Sequence, residues 1–159
     1  MFTSEVAYSL EKPIKYAAKD NVVLEARNVM LYEPTARNVR LIGPLKQMFM
    51  QALLTAQSQE HTEQQQELID KARAERAAKK EESTEADFTP EEAMMMIASN
   101  KEVDYTDFLE KFEKVLKNEG LARIDGESPV TESFLAKLPM RVLEGLAGTY
   151  LSNFIAPSL

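Results

Sequence analysis

The chain of 159 residues contains no cysteine, one histidine (His61) and five glycines. The lack of cysteine excludes thiol catalysis, cysteine-based zinc sites and disulfides. A single histidine excludes any site built on two imidazoles, and five glycines leave little material for a phosphate-binding loop. Because most enzyme chemistries are hard to build from this set of residues, the sequence predicts a protein that is not an enzyme and needs no cofactor or metal.

Long apolar runs and an excess of positive charge are also missing. The longest wholly apolar stretches, such as residues 93–98, span six residues, whereas about twenty are needed to cross a bilayer. The first residues lack a basic start followed by an apolar core, so no signal peptide is expected. A chain with a net charge of −7 lacks the positive electrostatic field that nucleic-acid binding usually requires. We expect a cytoplasmic protein that binds neither membranes nor nucleic acids.

The first third of the chain predicts an antiparallel β-hairpin and then a helix. Residues 7–10 alternate weakly and stop at Pro13, and residues 22–32 form a second, β-branched extended segment. A bulge or a slack connection accounts for the imperfect alternation. Pro34 disfavours helix before it, and Thr35 can cap the helix that follows.

Apolar residues at steps of three and four predict one buried face on that helix. Its members are Val39, Ile42, Leu45, Phe49, Leu53 and Ala56, with Leu41, Met48 and Met50 nearby. Because Pro44 cannot donate a hydrogen bond to the carbonyl of Arg40, we expect a short helix, a kink and a longer helix.

Residues 57–87 differ in composition from the rest of the chain. They include nine acidic and five basic residues, and their only large apolar residues are Leu68 and Ile69. Propensity permits a helix, but there is too little apolar surface to pack it along its length. A polar helical or flexible linker is the simpler interpretation, and docking of Leu68 and Ile69 on a second chain is the alternative. The predicted division is residues 1–56, 57–87 and 88–159.

Residues 88–159 predict a helical C-terminal subdomain. Thr89, Pro90 and Glu92 form a helix start with a capping box. A second apolar stripe runs from Phe108 to Leu116, a short helix covers residues 131–138, and the last helix begins after Pro139. The predicted fold class is mostly α (α+β), with a small N-terminal antiparallel β-hairpin followed by helices.

Few polar clusters are candidates for chemistry. Three carboxylates spaced three residues apart can be drawn as a metal cluster or an acid/base pair: Asp104, Asp107 and Glu110. A helix start at Asp104 favours capping instead. Asp125-Gly126 lacks the ligand spacing of a calcium loop and predicts a turn. The basic run at residues 71–80 alternates with acids and has no aromatic residue for base stacking, so it predicts a solvated helix face.

Two apolar features are candidates for a partner-binding surface. One is the triplet Met94, Met95 and Met96, because methionine adapts to apolar partners of different shapes. The other is the last helix, where one face carries Val142, Leu146, Tyr150 and Phe154. Gly145 and Gly148 would let another backbone approach this helix. We expect either surface to be exposed in the free protein or shared between protomers; the alternative is that both pack in the chain's own core.

Two N-terminal motifs carry a family resemblance. The sequence SLEKPI at residues 9–14 and the sequence VMLYEPTA at residues 29–36 resemble the small tail assembly chaperones of long-tailed bacteriophages. Chains of that family often begin with L-x-K-P-I and continue with L-R-E-P-T before the first helix. The closing helix, from Leu138-Pro139 to Asn153-Phe154, is similar to theirs. The resemblance covers residues 5–55 well and residues 130–157 loosely.

This resemblance implies a non-enzymatic protein that coats the long, apolar, helical tape measure protein and keeps it soluble. Tail tube subunits then displace it, so the tail tube protein is a second candidate partner. We expect a homo-oligomer that acts in the host cytoplasm and is absent from the mature virion. The runner-up function is a structural tail or baseplate-associated protein, and the third class is a small hydrolase or metal enzyme.

Overall fold

The computed structural model describes residues 5–18, 20, 22–58, 71 and 88–158. Three strands form an antiparallel sheet in the order β1 (Glu5–Ala17), β2 (Val23–Tyr32) and β3 (Ala122–Ile124). The helices are α1 (Val39–Ser58), α2 (Pro90–Ser99), α3 (Tyr105–Leu116), α4 (Glu132–Lys137) and α5 (Met140–Tyr150). The predicted fold class is confirmed. Apart from residues 57, 58 and 71, the predicted linker at 57–87 lies outside the described residues, and with it the basic run and the docking prediction for Leu68 and Ile69.

The hairpin of β1 and β2 contains the predicted bulge. Ser9 pairs with Asn28, and the next pair along the ladder is Ile14 with Ala26. Between these two pairs, β1 therefore contains more residues than β2. The extra residues of β1 include Pro13, which has no N–H to offer to a ladder and is tolerated at an irregularity of an edge strand. The strand therefore continues past Pro13 to Ala17, and the prediction that it stops at Pro13 is wrong.

The third strand was not predicted. Residues 122–124 pair antiparallel with β2, and the turn that follows extends the pairing through a side chain. The Asp125 Oδ1 atom accepts the backbone N–H groups of Arg27 and Asn28 at 3.0 and 2.9 Å. Asp125 and Gly126 have φ of 53° and 73°, a left-handed conformation that aspartate and glycine adopt more readily than other residues. The predicted turn at Asp125-Gly126 is confirmed.

Helix α1 is continuous through Gly43-Pro44, so the expected division into a short and a longer helix is wrong, while the expected kink stays a prediction. Pro44 lies near the start of the helix, so only the first-turn carbonyl of Arg40 loses its partner. Arg40 is exposed, and water can bond to that carbonyl. The expected cap is also wrong, because the Thr35 hydroxyl accepts a hydrogen bond from the Asn38 side chain rather than from the backbone.

Local capping signals position the C-terminal helices. The Thr89 hydroxyl accepts the N–H of Glu92 while the Glu92 carboxylate accepts the N–H of Thr89, so the predicted capping box is confirmed. Asp104 accepts the N–H of Asp107 at 3.0 Å, which confirms its capping role, and Asp107 pairs with Lys111 at 2.7 Å. Among the described residues, no group of three metal-ligating side chains is close enough to hold an ion.

One buried cluster joins the sheet and the helices. The ring of Tyr16 in β1 contacts Phe134 in α4, with centroids 5.6 Å apart. Phe49 from α1 and Phe112 from α3 are buried in the same cluster. Residues from both predicted subdomains therefore share one core. No helix within the described ranges is both long and apolar enough to span a membrane.

Candidate functional site

The predicted face of the last helix lies in the core. Leu146, Tyr150 and Phe154 are buried and Val142 is half-buried. The Tyr150 ring lies 5.1 Å from that of Phe154 between centroids, and its hydroxyl donates to the Tyr32 carbonyl at 3.1 Å. The expectation that this face is exposed in the free protein is therefore wrong. Partner binding through these residues stays a prediction.

Burial also raises the pKa of two tyrosine hydroxyls that lie along this helix. Burial raises the pKa of Tyr150, and the charge of Glu33 raises it further. The Tyr105 hydroxyl donates to the Glu144 carboxylate, and its pKa is raised first by burial and then by this bond. Both tyrosines are held in the neutral form, in which they donate structural hydrogen bonds.

Met94 of the methionine triplet packs against the same helix from α2. Met94 is buried, whereas Met95 and Met96 are half-buried. A Cβ added to Gly148 would lie 2.8 Å from the Met94 Cγ and 2.5 Å from the Pro90 carbonyl oxygen. Gly148 therefore permits the close approach of α2 of the same chain. This agrees with the alternative that the last helix packs in the chain's own core.

An exposed apolar row on α1 is the strongest candidate surface. Val39, Met50 and Leu54 are 63%, 41% and 60% exposed. Together with Gly43 they are spaced by four, seven and four residues, which places them on one side of a helix, with Lys46 on the same side between Gly43 and Met50. A Cβ built on Gly43 would meet nothing within 4 Å. We call Val39, Gly43, Met50 and Leu54 the α1 stripe.

The surroundings of the α1 stripe differ in charge from the rest of the chain. Of the 26 acidic residues, none lies between Glu33 and Glu60. Arg37 and Arg40, at the start of this acid-free segment, are exposed. Glu102 reaches α1 from the loop after α2, and its carboxylate accepts a hydrogen bond from Gln51 at 3.1 Å. The charged side chains within residues 34–59 are thus all basic, in a chain of charge −7.

Sequence reasoning placed two stripe residues on the wrong side of α1. The helix has two apolar arcs, and the buried one comprises Ile42, Leu45, Phe49 and Ala52. Val39 and Met50 were predicted to belong to the buried face, and this prediction is wrong. Periodicity detects apolar arcs but does not tell which arc meets the core. The absence of acids from residue 34 to residue 59 is the sequence signal that distinguishes this helix.

Among the described residues, the other exposed large apolar side chains lie elsewhere: Val22, Val23, Leu24 and Met140. The first three are at the hairpin end of β2, and the last begins α5. Isolated exposed apolar residues are normal on a protein surface, whereas a row on one helix face is typical of an interface. The α1 stripe is therefore the candidate binding surface of the protein.

Neither a family model, nor a curated protein, nor a solved structure matches the chain.

Proposed function

We propose that this protein is a tail assembly chaperone of a long-tailed bacteriophage. In this proposal it is not an enzyme: it binds the tape measure protein in the host cytoplasm, keeps it soluble while tail tube subunits assemble, and is absent from the mature virion. The observation that carries the proposal is the α1 stripe, a row of exposed apolar side chains on one side of a helix.

The α1 stripe has the dimensions of a helix-binding surface. From Val39 to Leu54 it extends over about 22 Å, or four turns of helix. An amphipathic partner helix can lay its apolar side along such a row, and each Å² of apolar area removed from water contributes roughly 25 cal/mol. A long apolar helical protein that lacks its own partners would gain solubility from this contact.

The two motifs that resemble the chaperone family lie in the hairpin that precedes α1 and in the turn that leads into it. Residues 9–14 form the bulged part of β1, where Glu11 lies 3.5 Å from Arg141 of α5. Residues 29–36 run from β2 into the turn before α1. The motifs support the proposal through the family resemblance, and the second of them leads directly into the helix that carries the stripe.

The net charge supports the same role. A chaperone that covers an apolar protein must keep the complex in solution, and charge far from zero opposes aggregation. The chain carries −7, while the segment that contains α1 has no acidic residue between Glu33 and Glu60. Binding and solubilising functions are thus carried by different parts of the sequence.

Co-expression with the tape measure protein of the same phage tests the proposal. We expect the tape measure protein to move from the pelleted to the soluble fraction when the full chain is present, and to co-purify with it. Quantitative mass spectrometry of purified virions should not detect the chain. A tape measure protein that stays insoluble contradicts the proposal, and stoichiometric recovery from virions favours the structural tail or baseplate-associated alternative.

A further inference from the structure

Resting on the proposed function, we propose that the α1 stripe binds a single partner helix that crosses α1 at Gly43 and carries carboxylates beside its apolar row. The proposal names the chemistry of the bound segment: an amphipathic, acid-flanked helix of another protein. Three observations carry it, namely the open space at Gly43, the exposed apolar neighbours and the acid-free segment.

Gly43 has no role inside the chain that another residue could not fill. Glycine within a helix costs about 1 kcal/mol relative to alanine, and an added Cβ here would enter open space. By contrast, Gly148 is required because α2 lies against it. What glycine offers on an exposed apolar row is close approach of a second backbone. The crossing point of the partner is therefore placed at Gly43.

The apolar neighbours of Gly43 lie on both sides of this crossing point. Val39 precedes it by one turn, while Met50 and Leu54 follow by two and three turns. Side chains above and below a glycine form the groove into which the ridge of a second helix fits. Met50 is flexible and adapts to partner side chains of different shape.

Charge selects the partner. Acidic side chains flanking the partner's apolar row would meet the exposed guanidinium groups of Arg37 and Arg40, with no carboxylate of the acid-free segment to repel them. Lysines in the same positions would meet like charge. A second copy of this chain is disfavoured for the same reason, because two α1 stripes would bring arginines together between molecules of charge −7.

Two synthetic peptides test the charge selection on the full chain. Each has roughly 21 residues, about six helical turns, with the same leucine and alanine row; one has glutamate flanks and the other lysine flanks. In fluorescence anisotropy at low salt, we expect the glutamate peptide to bind about ten-fold more tightly, and we expect this advantage to shrink at 0.5 M NaCl because salt screens surface charge. Equal affinities, or no binding of either peptide, would overturn the proposal.

Three variants locate the binding surface. Leu54→Asp should weaken binding of the glutamate peptide at least about ten-fold, a loss of about 1.4 kcal/mol, whereas Met140→Asp is the matched control because both residues are 60% exposed. Gly43→Ala should weaken binding several-fold although it stabilises the free chain, an outcome that a merely structural glycine does not give. Unchanged binding by Gly43→Ala and Leu54→Asp would contradict the assignment.

Co-expression of the tape measure protein with wild type or with Leu54→Asp separates this inference from the proposed function. If wild type and Leu54→Asp both keep the tape measure protein soluble, the function stands and the α1 stripe is overturned as its site. If neither does, while the glutamate peptide binds wild type only, the function fails and the helix-binding surface stands. A dimer in sedimentation analysis that Leu54→Asp dissociates would assign the stripe to a second copy and overturn the proposal.

Discussion

At the scale of single residues, Asp125 joins distant parts of the chain. Its side chain accepts two backbone N–H groups of β2 from a position about one hundred residues further along, and its own N–H donates to the Asn28 carbonyl at 2.9 Å. It holds a left-handed conformation as well. One residue thus forms the turn and extends the ladder between β2 and β3.

Replacing Asp125 tests this double role. We expect Asp125→Ala to lower the free energy of unfolding by about 1–3 kcal/mol, because two N–H groups lose their acceptor and alanine tolerates the left-handed region poorly. Asp125→Asn keeps an acceptor oxygen and the tolerance for positive φ, so its loss should be smaller. Urea denaturation of both variants measures the difference; equal losses would contradict this account of the side chain.

At the scale of elements, the two helical glycines of α1 and α5 make opposite predictions. Gly148→Ala should destabilise the chain by about 1–3 kcal/mol, since the new methyl group would meet the backbone of Pro90. Gly43→Ala should stabilise it by about 0.5–1 kcal/mol, because helix propensity improves and nothing is displaced. Thermal unfolding of the two variants measures the sign of each change in stability. A stabilising Gly148→Ala would show that α2 does not pack against α5 as described.

Elements with local signals could be predicted from the sequence, and elements without them could not. The capping box at Thr89 and Glu92 lies within four residues, so it specifies a helix start wherever the helix packs. The three residues of β3 have no such signal, since Ala122 and Ile124 become a strand only by pairing with β2. Likewise, Val39 and Met50 read as core residues because periodicity alone does not identify the buried arc of α1.

The candidate site shows the same division between local and tertiary information. The apolar rows of α1 and α5 are visible in the sequence, but which of them remains exposed depends on how the elements pack. Helix α5 lies between the sheet and α2, and Tyr150 is buried against both Phe112 and Phe154. Helix α1 packs with one arc only. The better candidate surface therefore lies on α1, whose apolar residues were predicted to be buried.

At the scale of the whole molecule, one buried and two half-buried tyrosines make stability depend on pH in the alkaline range. The pKa values of Tyr8, Tyr105 and Tyr150 are all raised by burial above the ordinary value of 10.0. As the pH rises through 10, the unfolded chain therefore releases these protons before the folded chain does. The stability that the neutral hydroxyls contribute is complete below about pH 10 and is lost progressively above it.

Removing one hydroxyl tests this limit. We expect Tyr150→Phe to cost about 1 kcal/mol at pH 7, because the Tyr32 carbonyl loses its donor. Between pH 9 and 11, stability should fall less steeply in this variant than in wild type, and urea denaturation at several pH values measures the two slopes. Identical slopes would contradict a raised pKa at Tyr150.

The pairing of β3 with β2 has a consequence for biosynthesis. Leu31 and Ala122 are partners although about ninety residues separate them, so a nascent chain must hold the edge of β2 unpaired until most of the polypeptide has left the ribosome. Closing so long a loop costs conformational entropy before any contact offsets it, and topologies of this kind fold slowly. We therefore expect the hairpin and α1 to form first, and β3 to complete the sheet only after most of the chain has been synthesised.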